Sequence, residues 1–250
     1  FMQKYHPMGS LAPRDVVARS IDHELKISGE EFVYLDITHK DPKEVMSHFP
    51  NIYKKCLSIG IDLTKDMIPV VPAAHYCCGG IKVNLNGASS IRRLYALGEA
   101  SSTGLHGGNR LASNSMMEAA VYADAAARHA ISVIDSIELQ RDIPAWDYEG
   151  TAVPEEMALI TQDYKEMQQI MTNYVGIVRS DVRLERAKRR LEIIFKETEE
   201  LYLKSTLSQH LCELRNMIAV GYLIIKQAEA RHESVGLHYS IDYPAKPVEI

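Results

Sequence analysis

Residues 95–118 read YALGEASSTGLHGGNRLASNSMME, and they decide the fold around them. The apolar run at residues 94–99 is too short for a helix and stops at Gly98, which predicts a brief buried strand with Glu99 at its carboxyl end. Three glycines follow between positions 104 and 108. Closely spaced glycines let the backbone adopt positive φ and approach a ligand without Cβ clashes. We therefore expect a strand, a glycine-rich loop and a helix in that order.

The helix after this loop is predicted to begin at Ser115, because Ser115 and Glu118 have the spacing of a capping box. Free N–H groups at a helix start carry partial positive charge and suit a carboxylate, a phosphate or the electron-rich edge of a ring. Arg110 and His106, in the same loop, can bind an anion. From the residues alone, an ordinary strand–loop–helix turn with a well-capped helix is the alternative. Residues 81–84 are expected to pair with residues 94–99 as a hairpin.

The composition indicates a globular protein of one or two domains, with 250 residues and a formal net charge of −5. This charge balance does not favour nucleic acid or anionic membranes as partners. The four cysteines show no C-x-x-C spacing, and Cys77 and Cys78 are adjacent, so a disulfide framework is not expected. No apolar run approaches the roughly 20 residues of a membrane span. We therefore expect a soluble, cytoplasmic protein.

A helix is predicted from about Pro13 to Gly29, with Arg14 in its first turn. A cation at that end opposes the helix dipole, so Arg14 is either a solvated surface residue or placed there for chemistry. A strand at residues 32–37 and a helix that begins at residues 41–42, broken at Pro50, complete a small α+β unit.

His75 lies in an extended, apolar segment, residues 67–80, that contains two prolines. A lone histidine in such a segment is usually a hydrogen-bonded core residue, and that is the alternative to a ligand-binding role. His75, Cys77 and Cys78 give poor geometry for a tetrahedral metal ion, so no metal site is expected.

The last part of the chain is predicted to be helical, at residues 155–174, 181–203 and 207–232, because apolar residues recur there at spacings of three and four. The basic run at residues 183–190 has no aromatic interleaving and is interpreted as a solvated helix face rather than an RNA-binding surface. The predicted fold class is thus an α+β amino-terminal part followed by an all-α three-helix bundle.

The segments GE-x4-GLHGGNRLASNS, LAPRDVVAR and HY-x-x-GG resemble the succinate dehydrogenase/fumarate reductase flavoprotein family over all 250 residues. The resemblance implies that residues 1–76 belong to the capping domain and residues 77–141 to the later portion of the FAD-binding domain. A linker at residues 142–154 would then lead to a helical carboxyl-terminal domain at residues 155–250. The family's G-x-G-x-x-G motif is not found in this sequence. We therefore expect a carboxyl-terminal portion of a longer protein that, by itself, binds flavin weakly and is inactive.

The resemblance also implies a role for each candidate site residue, with FAD bound non-covalently and no metal. Carried over by position, Arg14 is the catalytic residue that stabilises charge or transfers a proton next to the flavin. The substrate-binding residues implied are His75, Arg110 and His106. The cofactor-binding residues implied are Glu99, Ser115 and Met116.

Segments such as LDITHK, PVVPAAHY and GLHYSIDYP are similar to the branch of the family that oxidises L-aspartate to iminoaspartate. This implies a small dicarboxylate substrate, oxygen or fumarate as electron acceptor, a place in NAD biosynthesis and quinolinate synthase as a candidate partner. One alternative is the flavoprotein subunit of fumarate reductase or succinate dehydrogenase, since the residue that reads the substrate's amino group is expected upstream. A second alternative, of another class, is a helical protein-interaction module at residues 155–250.

Overall fold

The computed structural model describes residues 1–153 and 157–244. The chain divides into two compact units, Phe1–Ala73 and Ala74–Ile250. A mixed α+β part is followed by a helical part, which confirms the predicted fold class at this level.

The first unit contains three helices and a two-stranded antiparallel sheet. The helices are α1 (Arg14–Ser28), α2 (Pro42–His48) and α3 (Pro50–Leu57), and the strands are β1 (Val33–Leu35) and β2 (Ile68–Val70). The two strands pair with Tyr34 opposite Pro69. Two short 3-10 helices, Met2–Lys4 and Gly9–Leu11, precede α1. Val45, Cys56 and Leu63 form a small buried cluster.

The local signals in this unit act as predicted. α1 ends at Gly29, whose φ of 74° is accessible to glycine at little cost. The side chain of Asp41 accepts hydrogen bonds from the N–H groups of Lys43 and Glu44 and so caps α2. Pro50 separates α2 from α3, because a proline ring does not fit inside a continuous helix.

The second unit begins with two short strands, β3 (Ile81–Lys82) and β4 (Ser101–Ser102), which pair in parallel. A 3-10 helix, Gly98–Ala100, precedes β4, and helix α4 (Asn114–Ile134) follows it. The predicted strand at residues 94–99, with its hairpin pairing to residues 81–84, is wrong. Only an isolated bridge between Ala88 and Tyr95 forms there, and Gly98 turns the chain at a φ of 60°.

Close backbone contact explains one glycine next to the site. Gly80 adopts a φ of 142°, and a Cβ atom built on it would lie 2.4 Å from the carbonyl oxygen of Ala100. Only glycine lets the segment after His75 lie this close to the residues that lead into β4.

The helical part contains α5 (Met157–Ile170), a π-helical segment (Met171–Val175), α6 (Asp181–Lys204) and α7 (Gln209–Glu229). Ser180 and Ser208 cap α6 and α7 through their hydroxyl groups. The three helices share one buried apolar cluster that includes Ile160, Leu191 and Leu214. The predicted helix start at residue 155, residue 154 of the predicted linker and residues 245–250 lie outside the described residues. No helix in the part of the chain that the structure describes has the length and apolar character that a membrane span requires.

Candidate functional site

A buried carboxylate, Glu118, lies at the centre of the polar residues around the glycine loop, which we define as residues 103–113. Glu118 is 3% exposed and accepts a hydrogen bond from the hydroxyl of Thr103. Its Oε2 atom accepts from His106 Nε2 at 2.7 Å and from the Tyr76 hydroxyl at 3.3 Å. The predicted capping box is therefore wrong, because Glu118 bonds these three side chains rather than the start of its own helix.

The electrostatics of this cluster follow from burial and hydrogen bonding. Burial raises the pKa of Glu118, but the hydrogen bonds from Thr103, His106 and Tyr76 together outweigh it and hold the pKa below its usual value. Burial, followed by the Glu118 charge, raises the pKa of the Tyr76 hydroxyl. Glu118 is thus ionised at neutral pH, and an ionised carboxylate only accepts hydrogen bonds, so His106 donates from Nε2. The Nδ1 atom of His106 remains for another partner.

Arg110 is held by two contacts at the end of the glycine loop. Its guanidinium carbon lies 4.8 Å from the centre of the Tyr76 ring, and its Nη1 donates to Ser115 Oγ at 3.1 Å. Its Nε atom is shielded from solvent and has no hydrogen-bond partner among the described residues. A buried N–H without a partner is costly, so this atom marks a place where an external acceptor belongs.

The start of α4 is also open to an acceptor. Ser113, the residue before the helix, has a φ of 70° and its side chain makes no cap bond. The N–H of Asn114 donates to the carbonyl oxygen of Leu111 at 3.4 Å, and within the described residues no side chain accepts from the other N–H groups of the first turn. Ser115 and Met116, both predicted to contact a cofactor, lie in this first turn, and Met116 is 79% exposed. Polar N–H groups therefore adjoin an exposed apolar side chain.

His75 and Glu99 lie near this cluster in the chain but outside its hydrogen bonds. His75 is exposed and has no hydrogen-bond partner within the described residues, while the next residue, Tyr76, contacts both Glu118 and Arg110. Glu99 accepts a hydrogen bond from the backbone N–H of Cys77 at 2.9 Å. Glu99 thus ties the segment that follows His75 to the residues before β4.

Arg14, the predicted catalytic residue, lies in the first unit as the first residue of α1. Its side chain is exposed and has no hydrogen-bond or ion-pair partner in the described residues. Asp15, next to it, pairs instead with Arg19 at 2.7 Å. The guanidinium of Arg14 is therefore available for a ligand.

Sequence reasoning missed two members of the cluster, Tyr76 and Thr103, and the role of Glu118. A signal for Tyr76 is present in the HY-x-x-GG motif, in which the tyrosine directly follows His75. An acidic residue in an alanine-rich helix was a signal for Glu118, since such a helix packs closely and its carboxylate requires donors. In residues 1–153 and 157–244, His, Cys, Asp and Glu side chains form no group of three or more suited to a metal ion.

Two family models match the chain. Residues 1–116 match the FAD binding domain, and residues 164–247 match the fumarate reductase flavoprotein C-terminal domain. The glycine loop and the candidate site residues Arg14 to Met116 all lie within the first match. The second match covers most of the helical part.

Curated relatives match nearly the whole chain. An L-aspartate oxidase of Yersinia pestis is 49% identical over 98% of this chain and 46% of its own length. An L-aspartate oxidase of Pseudomonas aeruginosa is 46% identical over 98% of this chain and 45% of its own length. The chain therefore spans about half the length of the curated relatives that it matches.

Solved structures give the same fold at lower sequence identity. A quinol-fumarate reductase chain superposes with a TM-score of 0.79 at 26% identity, covering 100% of this chain and 49% of that chain. Mycobacterium smegmatis Sdh1 superposes with a TM-score of 0.77 at 29% identity, covering 98% of this chain and 43% of that chain.

The residues present fit the FAD that these comparisons imply as the cofactor. The uncapped start of α4 offers N–H donors to the polar edge of a flavin ring, and Leu111 and Met116, 73% and 79% exposed, offer apolar surface to the ring itself. Arg110, which contacts Ser115 in the first turn of α4, adds a cationic group whose Nε has no hydrogen-bond partner among the described residues. The two family matches, over residues 1–116 and 164–247, and a relative 49% identical over 98% of the chain show that the chain belongs to the succinate dehydrogenase/fumarate reductase flavoprotein family.

Proposed function

We propose that the protein that contains this chain oxidises L-aspartate to iminoaspartate with FAD as cofactor, in NAD biosynthesis. The observation that carries the proposal is Arg110, whose guanidinium is fixed by Tyr76 and Ser115 while its Nε has no hydrogen-bond partner in the part of the chain that the structure describes. A guanidinium with a free N–H is suited to bind a carboxylate, and a C4 dicarboxylate offers two.

The chain's own residues orient the substrate. Bound FAD supplies the hydride acceptor. In the proposal, Arg110 and His75 bind one substrate carboxylate, and His106 adds a donor from Nδ1 when both of its ring nitrogens carry a proton. Tyr76 and Ser115 hold the guanidinium of Arg110 in one direction, which fixes the bound carboxylate relative to Cα. Glu118 in turn orients Tyr76 and His106 through hydrogen bonds.

Three further roles rest on the family resemblance. Arg14 stabilises charge near the transferred hydrogen, or returns a proton when fumarate is the substrate, and its lack of a partner supports that assignment. The N–H groups at Ser115 and Met116 contact the flavin ring. Glu99, whose carboxylate accepts from Cys77, contacts the ribityl or adenosine side of the cofactor.

The comparisons favour aspartate over succinate as the substrate. Relatives named L-aspartate oxidase are 49% and 46% identical to the chain, whereas quinol-fumarate reductase and Sdh1 are 26% and 29% identical. The flavoprotein subunit of fumarate reductase or succinate dehydrogenase is the second candidate. The match at residues 164–247 supports helices α5–α7 as part of the flavoprotein rather than as a separate interaction module.

We also propose the domain organisation that the family implies. Residues 1–76 belong to a capping domain, residues 77–141 to the FAD-binding domain and residues 155–250 to a helical domain after a linker. The shared apolar cluster of α5, α6 and α7 supports a three-helix bundle in that domain.

The cytoplasm is the proposed compartment, and quinolinate synthase, which consumes iminoaspartate, is the proposed partner. Co-purification of quinolinate synthase with the protein tests that last point.

The test of function is an assay of protein of the relatives' full length for hydrogen peroxide formed with L-aspartate or with succinate. Arg110→Leu and Arg14→Leu are compared with Arg189→Leu, which removes an exposed arginine on α6. We expect aspartate-dependent peroxide from the parent protein and loss of about two to three orders of magnitude in kcat/KM for Arg110→Leu. Arg14→Leu is expected to lower kcat, and Arg189→Leu to leave both constants unchanged.

Three outcomes contradict the proposal or one of its residue roles. Oxidation of succinate with no oxidation of aspartate favours the second candidate. Unchanged kcat/KM in Arg110→Leu removes Arg110 from the substrate site, and unchanged kcat in Arg14→Leu removes the role assigned to Arg14.

A further inference from the structure

The segment after α7 returns to the glycine loop through a tight turn at residues 235–238, which we name the C-terminal turn. Val235 and His238 exchange backbone hydrogen bonds of 3.0 and 3.1 Å. The N–H of Leu237 donates to the carbonyl oxygen of Gly108 at 2.9 Å. The C-terminal turn therefore contacts the glycine loop directly through its backbone.

The contact requires glycine at position 236 and is tight at position 108. Gly236 adopts a φ of 59°, and a Cβ atom built on it would lie 2.3 Å from the carbonyl oxygen of Gly108. A Cβ atom on Gly108 would lie 3.2 Å from the carbonyl oxygen of Val235. A side chain at position 236 would thus push the two backbones apart.

A half-buried arginine, Arg179, and a buried histidine, His238, stabilise the turn. His238 is 9% exposed, and its Nδ1 accepts a hydrogen bond from Arg179 Nη1 at 2.7 Å. A guanidinium only donates, so Nδ1 carries no proton and Nε2–H donates to the carbonyl oxygen of Arg231 at 3.2 Å. Burial, followed by the Arg179 charge, lowers the pKa of His238, in agreement with a neutral ring.

Arg179 connects this histidine to the helical part of the unit. Its Nε donates to the carbonyl oxygen of Val175, at the end of the π-helical segment, at 2.9 Å. Its backbone N–H donates to the carbonyl oxygen of Tyr239 at 2.9 Å. Its carbonyl oxygen accepts from the backbone N–H of Ile241 at 3.0 Å. Hydrogen bonds thus connect the segment that precedes α6 to the segment that follows α7, next to the C-terminal turn.

We propose that the C-terminal turn positions the glycine loop for substrate binding, with Gly236 and His238 as positioning residues that act through Gly108 on Arg110. Gly108 lies two residues from both His106 and Arg110, so a displacement of its carbonyl moves the backbone that carries both side chains. This inference rests on the proposed role of Arg110 in binding the substrate carboxylate. The segment that follows α7 thereby acts on the site through the backbone of the glycine loop.

The first test is Gly236→Ala in protein of the relatives' full length, with Gly150→Ala as a matched control. Gly150 has a φ of 79° and no atom within 4 Å of a built Cβ, so its substitution imposes comparable backbone strain without a contact. A misplacement of about 1 Å at a substrate-binding group can cost about 100-fold in rate, and we expect a loss of that order in kcat/KM for L-aspartate in Gly236→Ala only. The loss should appear mainly in KM, because Arg110 binds the substrate.

A double substitution separates positioning from general destabilisation. If Gly236 acts through Arg110, Gly236→Ala should add little to the loss already caused by Arg110→Leu. Multiplicative losses in the double variant would overturn the inference. A loss of activity in Gly150→Ala equal to that in Gly236→Ala would do the same.

A second pair of variants addresses His238 if Gly236→Ala does not fold. His238→Gln keeps one acceptor for Arg179 and one donor for Arg231, whereas His238→Leu keeps neither. We expect the KM of His238→Gln to stay near that of the parent protein and the KM of His238→Leu to rise. Equal KM values in the two variants would contradict the role of this histidine.

Amide hydrogen exchange in the glycine loop gives a readout that does not depend on activity. Faster exchange at residues 104–112 in Gly236→Ala, with no change in Gly150→Ala, supports the contact even if the protein oxidises a different substrate. Unchanged exchange in Gly236→Ala overturns the inference even if L-aspartate is oxidised. The failure of one proposal is thereby distinguished from the failure of the other.

Discussion

The glycine loop and helices α5–α7 are stabilised by different kinds of interaction. The loop is held by hydrogen bonds to one buried carboxylate, Glu118, by the ring of Tyr76 and by glycine contacts with the C-terminal turn. The helices are held by an apolar cluster in which residues such as Leu191 and Leu214 are at most 1% exposed. The first region fixes the direction of polar groups, and the second buries apolar surface.

The difference shows how each region can tolerate change. Apolar packing is non-directional, so volume-conserving substitutions in the helices are expected to cost little. Hydrogen bonds between buried groups are directional, and removal of one partner leaves the others unsatisfied. Residues that orient Arg110 are therefore expected to affect substrate binding, whereas residues of the helical cluster affect stability alone.

The largest expected effect is that of Glu118→Leu, which leaves the donors of Thr103, His106 and Tyr76 without their acceptor. Loss of one partner of a buried charged pair costs about 3–5 kcal/mol, and we expect a fall of that size in the free energy of unfolding measured with urea. Glu118→Gln, which keeps a carbonyl acceptor, is expected to lose less. Glu185→Leu, on the exposed face of α6, is the control. An equal loss in the free energy of unfolding for Glu118→Leu and Glu185→Leu would refute the central role of the Glu118 carboxylate.

The next effect is that of Leu214→Ala in the helical cluster. Leu214 is fully buried, and removal of such a side chain costs about 2–5 kcal/mol through lost burial and the remaining cavity. We expect this loss of stability with an unchanged KM for L-aspartate at a temperature where the variant is folded. A raised KM in Leu214→Ala would break the division of roles between the two regions.

A smaller effect is expected when pH is lowered. The pKa of Glu118 is below its usual value in the folded protein, so the folded state binds this proton less readily than the unfolded state. The stabilisation from Glu118 is therefore present above the ordinary glutamate pKa and is lost as pH falls through the lowered pKa. Urea unfolding at a series of acidic pH values should show the difference between parent protein and Glu118→Gln becoming smaller as pH decreases. A difference that stays constant would contradict this assignment.

The smallest effect is expected for Arg189→Ala on α6. Arg189 and Glu185 form an exposed pair with atoms 3.9 Å apart, and such pairs contribute about 0–1 kcal/mol. We expect no measurable change in the free energy of unfolding or in KM. A loss above about 1 kcal/mol would show that charged contacts stabilise the helical region as well.

The helices were predictable from the sequence because their signals are local. Residues 181–203 repeat apolar side chains at helical spacing, and α6 occupies Asp181–Lys204. Asp41 and Pro50 likewise act on their immediate neighbours, and both do what their residue types predict. The role of Arg110 in substrate binding, which the resemblance implies through the continuous motif GLHGGNRLASNS, stays a prediction.

The arrangement around the site was less predictable because it depends on contacts between distant residues. Ser115 and Glu118 have the spacing of a capping box. The carboxylate of Glu118 instead accepts hydrogen bonds from Tyr76, which is 42 residues away in the chain, and from Thr103. The short strands β3 and β4 pair although they are separated in the sequence, and no local pattern specifies that pairing. The contact of Gly108 with Gly236 joins residues that no short motif connects.

The most direct test of the central claim is the dissociation constant of fumarate for full-length protein, measured with the parent and with Arg110→Leu at equal flavin content. We expect binding to weaken by about 100-fold or more in Arg110→Leu, in line with loss of a buried charged contact, while Arg189→Leu binds as the parent does. Equal dissociation constants for the parent and Arg110→Leu would contradict the claim that this arginine binds the substrate carboxylate.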